Sequence, residues 1–86
     1  MDDYTIVFAR SAREELEDLP ESVARRALAR IEALAQEPRP RGCCKLSGSE
    51  NVWRIRIGDY RVLYAIDDPG RLVDIIAVRH RKDAYR

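Results

Sequence analysis

Arginine, lysine, histidine and tyrosine crowd two stretches of this 86-residue chain. In "NVWRIRIGDYRVLYAI", residues 51–66, Arg54, Arg56 and Arg61 interleave with apolar residues. In "AVRHRKDAYR", residues 77–86, Arg79, Arg81, Lys82 and Arg86 surround His80 and Tyr85. Guanidinium and ammonium groups bind phosphate, a tyrosine ring can stack on a base, and histidine or tyrosine can move protons. Together the two stretches suit an RNA-phosphate site. Taken singly, each also suits a plainer role. Arginine stems can shield a sheet while Asp59 or Asp74 neutralises the charge, and a basic tail can be a solvated end.

The hairpin pattern sharpens the first stretch. Gly58-Asp59 is a two-residue turn signal between two alternating runs, and a turn of that length fixes the register. With Ile57 and Tyr60 flanking the turn, Ile55 faces Val62 and Trp53 faces Tyr64 on the core side. On the other side Arg56 sits opposite Arg61, and Arg54 opposite Leu63. Like charges directly opposite one another destabilise a sheet. Their pairing makes sense if an anion sits between them.

Stepping outward, the elements that must carry these groups are legible as periodicities. "DYTIVFA" alternates as a strand. Ser11 precedes Glu14 at the spacing of a capping box, and Ala12, Leu16 and Leu19 mark a short amphipathic helix to about residue 18. Pro20 suits the first turn of a second helix. Val23, Ala27, Ile31 and Leu34 form the buried stripe of that helix, which Pro38 and Pro40 close. "RPRGCCKLSGSE" reads as a loop. Strands follow at about 52–57, 60–66 and 72–79, the last nearly continuously apolar, so expected to be central and covered on both faces. The order is β-α-α-β-β-β. It predicts an α+β fold over one domain, residues 1–86, with two helices on one face of a mainly antiparallel four-stranded sheet.

Composition bounds the possibilities further. The chain is 45% hydrophobic and 36% charged, a globular balance. No apolar run nears the roughly 20 residues needed to span a bilayer, and the acidic start, "MDDY", is unlike a signal peptide; a cytoplasmic protein is expected. Cys43 and Cys44 are adjacent and, with one histidine, make a poor zinc site, so reduced loop thiols and no metal are expected. The net charge of +1 conceals a split: residues 1–37 carry five arginines against nine acids, and residues 38–86 carry eleven basic residues against six acids. The second half is thus suited to attract a polyanion.

Nearly the whole chain resembles the RelE/ParE toxins of bacterial type II toxin–antitoxin systems. The resemblance rests on the N-terminal strand followed by "ARSAREELEDLPESV", on "KLSGSENVWRIRIGDYRVLYAI" and on "VRHRKDAYR", and it lies nearest the RelE-like branch. It implies the RelE-like, microbial-ribonuclease type of fold. It also implies a ribosome-dependent endoribonuclease that needs no cofactor and cuts messenger RNA in the ribosomal A site, the ribose 2′-hydroxyl attacking the adjacent phosphate. A cognate antitoxin would hold it in a hetero-oligomer. Carried over position by position, the resemblance makes Arg61 and Arg81 the groups on the reacting phosphate and Tyr85 the residue that stacks on or orients the nucleotide. Arg54 and Arg56 fall where RelE-like members carry lysines, and Lys45 matches a residue near the RNA or ribosomal RNA backbone. Arginine cannot be deprotonated in proteins, so His80, Lys82 or Tyr85 would move protons; with Lys45 and Arg54, His80 and Lys82 complete the expected RNA contacts. The same fold could serve a ParE-like inhibitor of DNA gyrase, or a member that binds its antitoxin without cutting.

Overall fold

The computed structural model describes residues 3–46, 48 and 51–80. In chain order the elements are β1 (Thr5–Phe8), α1 (Arg10–Glu17), α2 (Glu21–Ala33), β2 (Cys44–Lys45), β3 (Val52–Ile57), β4 (Tyr60–Asp67) and β5 (Leu72–His80). The sheet has five strands, not four, in the order β1-β5-β4-β3-β2. The added strand is the two-residue β2, which pairs Cys44 with Arg54 and Lys45 with Trp53 inside the segment expected as a loop. A pair of residues carries no readable alternation, so this strand exists because β3 offers it an edge. β1 runs parallel to β5, and every other pairing is antiparallel.

One face of the sheet carries the core. Ile55, Ile57, Val62, Tyr64, Ile66, Val73, Ile75 and Val78 pack with Ala12 of α1 and with Ala27, Ile31 and Leu34 from α2 and its C-cap, all at 3% exposure or less. Of the stripe read from the sequence of α2, Ala27, Ile31 and Leu34 are buried and Val23 is half-buried. α1 begins differently from expectation. Its N-cap is Ala9, with no side-chain cap, so Ser11 lies within the first turn and forms no capping box. Pro20, expected in the first turn of α2, is instead its N-cap.

β5 explains its own unbroken apolar sequence. The register with β4 shifts between Leu63 and Tyr64: Leu63 pairs with Ala77 but Tyr64 with Ile75, so Ile76 is an extra residue. A bulge of one residue reverses the alternation of a strand. It turns both Ile75 and Val78 toward the helices, three positions apart. The strand is internal to the sheet, but Leu72, Asp74 and Arg79 are exposed, so the expected cover on both faces is absent along much of its length.

At the hairpin between β3 and β4, Gly58 has φ +60. That left-handed value is the one a tight two-residue hairpin turn demands and glycine supplies most cheaply. The register follows as expected: Trp53↔Tyr64, Arg54↔Leu63, Ile55↔Val62, Arg56↔Arg61 and Ile57↔Tyr60.

Candidate functional site

The face of the sheet turned away from the helices holds Arg54 and Arg56 of β3, Arg61 and Leu63 of β4, and Ala77 and Arg79 of β5, by the cross-strand register. Arg56 pairs with Arg61, and Arg61 pairs in turn with Arg79. Three adjacent strands therefore set three guanidinium side chains in one row. The central one, Arg61, is only 6% exposed, whereas Arg56 and Arg79 are exposed. Each like-charge pair in such a row costs on the order of 0.2–1 kcal/mol without a counter-charge. The row can cradle an anion with several charge-assisted donors at once, the arrangement suited to a phosphate.

Helix residues meet the strands of the row at both ends. On the α2 side, Arg30 Nη1 donates to the Arg56 carbonyl at 3.4 Å. The Arg26 guanidinium lies 3.9 Å from where a side chain on Gly58 would begin. Two further cations thus stand at the hairpin end. On the α1 side, Arg79 Nε donates to Glu15 at 2.8 Å.

Of the residues singled out in the sequence, Arg54, Arg56 and Arg61 share this face. His80 does not: its row is Ile57, Tyr60 and His80, on the helix side of the sheet. Its ring meets the Tyr60 ring edge-on, with centroids 5.1 Å apart. Lys45 also lies elsewhere, paired with Trp53 at the β2 edge, with Nζ 5.9 Å from the centre of the Trp53 ring. Arg81, Lys82 and Tyr85 lie outside the described residues. The sequence placed Arg79 only in the basic C-terminal stretch; its position in the row follows from continuing the register from β4 into β5. Glu15 had no local signal, because it meets Arg79 only through the tertiary fold.

A second polar cluster stands at the opposite end of the hairpin strands. Arg39 makes a two-pronged contact to Asp68 at 2.9 and 3.2 Å, and the Tyr4 hydroxyl donates to the same carboxylate at 2.6 Å. These bonds, Arg39 first, hold the Asp68 carboxyl below its usual range. The Arg39 guanidinium also stacks 5.1 Å from the Trp53 ring centre. Nearby, the Tyr64 hydroxyl donates to the Pro38 carbonyl at 2.9 Å; burial, with Cys43 alongside, pushes its phenol well above the ordinary range. By bonding Asp68, Arg39 anchors the loop after α2 to the end of β4.

Known proteins are similar to this chain along almost its whole length. The family model described as the ParE toxin of type II toxin–antitoxin system, parDE, matches residues 6–85. Toxin RelE of Mycobacterium tuberculosis is 33% identical over 84 residues, covering 96% of this chain and 87% of its own. The archaeal RelE–RelB complex from Pyrococcus horikoshii contains a chain that is 30% identical and superposes with a TM-score of 0.83, over 98% of this chain and 100% of that one. The toxin–antitoxin complex RelBE2 from Mycobacterium tuberculosis gives 33% identity and a TM-score of 0.80, over 92% and 99%. A match along almost the whole length, in sequence and in fold, means that this chain belongs to the RelE/ParE family of toxins of type II toxin–antitoxin systems.

Proposed function

We propose that the chain is a RelE-like messenger-RNA interferase: a ribosome-dependent endoribonuclease that cuts A-site codons and so inhibits translation in the cytoplasm. The observation that carries this reading is the row Arg56–Arg61–Arg79 on the face turned away from α1 and α2. In the reaction, the ribose 2′-hydroxyl attacks the adjacent phosphorus and the bond to the 5′-oxygen breaks, leaving a cyclic phosphate and a 5′-hydroxyl. Negative charge accumulates on the phosphate oxygens in the transition state, and fixed cations aimed at them lower the barrier. Arg61, with Arg56 beside it and Arg81 following β5, takes that role. Arg54 binds the neighbouring backbone, and Tyr85 orients the nucleotide. Lys45, at the β2 edge, meets RNA backbone there rather than at the reacting phosphate. Arginines cannot act as bases, and His80 stands on the helix side of the sheet, away from the row, so proton transfer falls to Lys82 or Tyr85. The ribosome supplies most of the alignment of message and toxin.

A cognate antitoxin is the partner that restrains this activity. The solved relatives from Pyrococcus horikoshii and Mycobacterium tuberculosis are complexes of toxin with antitoxin, and a segment that folds on binding suits a surface of this charge. Primer extension on translated messages after induction tests the reading: new 5′ ends inside codons support it, and unchanged transcripts under growth arrest contradict it. The ParE description of the matching family model favours a second reading, poisoning of DNA gyrase. Gyrase-dependent DNA breakage by the purified chain, without cleavage of messages, would support that one.

A further inference from the structure

β1 is too short to cover β5. The last bond between them runs from the Ala9 N–H to the Ile75 carbonyl at 2.9 Å, yet β5 continues to His80. Past Ile75 the backbone of β5 faces α1 instead of a strand, and a donor there needs another acceptor. Glu15 of α1 provides it. One carboxylate oxygen, Oε1, accepts the Val78 N–H at 2.9 Å, and the other, Oε2, accepts Arg79 Nε at 2.8 Å. The Glu15 side chain is 29% exposed, so water screens the pair only partly.

We propose that Glu15 is a positioning residue for the arginine row, holding Arg79 in place beside Arg61 for contact with a phosphate. This rests on the RNA-cleavage reading above. Arg79 stands next to a buried like charge, and without a tether its long side chain would swing away from Arg61. The tether uses Nε alone, one of the five guanidinium donors, and lies outside the Nη1/Nη2 edge whose fork matches two phosphate oxygens. The Val78 N–H needs only a neutral acceptor; the second oxygen and the negative charge serve Arg79. A carboxylate this close to bound RNA repels it, so Glu15 contributes through geometry at the expense of affinity. That division gives it a signature distinct from a purely structural contact.

Glu15→Gln separates the two bonds. The amide oxygen still accepts the Val78 N–H, while the amide NH2 confronts Arg79 Nε with a second donor. The full-length chain is assayed with ribosomes programmed with message, under single-turnover conditions. The cleavage rate at saturation is expected to fall about ten- to hundredfold, with no rise in the half-saturating concentration and a melting temperature near wild type. In an Arg79→Ala background the same change should have no further effect. In nitrogen-15 spectra, the Arg79 Nε–H should exchange slowly in wild type and rapidly in Glu15→Gln, with the Val78 amide still protected. Cleavage by Glu15→Gln at the wild-type rate, or an equal loss in the Arg79→Ala background, overturns the proposal. If the wild-type chain cuts no message, the RNA-cleavage reading fails, and the spectra decide the positioning separately. A slowly exchanging Nε–H released by Glu15→Gln upholds it, and a rapidly exchanging one in wild type overturns it.

Discussion

Arg56 and Arg61 stand in direct register across the β3–β4 hairpin, two like charges where a sheet is best served by opposite or apolar ones. Arg79 adds a third from β5. A small domain buries a limited fraction of its surface, so repulsion of this kind is a noticeable share of its stability. Glu15 balances the charge of Arg79, and an anion bound across the row would offset the repulsion between Arg56 and Arg61.

The first consequence concerns stability. Arg56→Thr removes one like-charge pair and places a β-branched residue in a strand. It should be as stable as wild type or more so, by up to about 1 kcal/mol. Urea unfolding with an unchanged slope checks this. Inorganic pyrophosphate should raise the melting temperature of wild type more than that of the variant, since a ligand of the native row stabilises by mass action. A variant less stable than wild type would mean that Arg56 is held by favourable contacts that outweigh the repulsion.

Acid should loosen the far end of the sheet. Asp68 is held below its usual pKa by the bonds from Arg39 and Tyr4. A carboxylate depressed in the folded state contributes stability that is fully present above its unfolded pKa, about 3.9. That stability is lost as pH falls from there through the lower folded value. Melting temperature should therefore decline less steeply below about pH 4 in Asp68→Asn than in wild type, from a lower neutral-pH value. Parallel acid profiles would show that the contact does not couple to folding.

The core and the loop after α2 are joined through one phenol. Tyr64 is fully buried and bonds the Pro38 carbonyl. Tyr64→Phe should cost about 1 kcal/mol, the net value of such a bond with its acceptor left buried. Ile31→Ala, which empties a fully buried site on α2, should cost roughly 2–5 kcal/mol. Denaturant midpoints for the two variants check the order; an equal cost would show that the core collapses around the Ile31 cavity.

Much of this was legible in the sequence, for particular reasons. Gly58-Asp59 dictated the turn, and the turn dictated the pairing of Arg56 with Arg61, because a two-residue loop leaves the register no freedom. The stripe Ala27, Ile31, Leu34 was legible because helical periodicity survives over three turns. Three features were not. β2 is too short to carry a period. The Ile76 bulge disguised a one-sided strand as a two-sided one, since reversing the phase places apolar residues at successive positions. The Glu15–Arg79 contact joins residues 64 apart in the chain, and no local pattern announces such a meeting.

On the proposed function, the arginine row holds a reacting RNA phosphate. The most direct test is cleavage of a 5′-labelled message, with a defined codon in the A site of purified ribosomes, by wild type and by Arg61→Ala. The wild-type chain should cut within that codon and leave a cyclic phosphate. Arg61→Ala, verified as folded, should be slower by about a hundredfold or more, as for the loss of one fixed donor at a developing negative charge. An intact message with wild type, or undiminished cutting by the folded variant, would contradict the account.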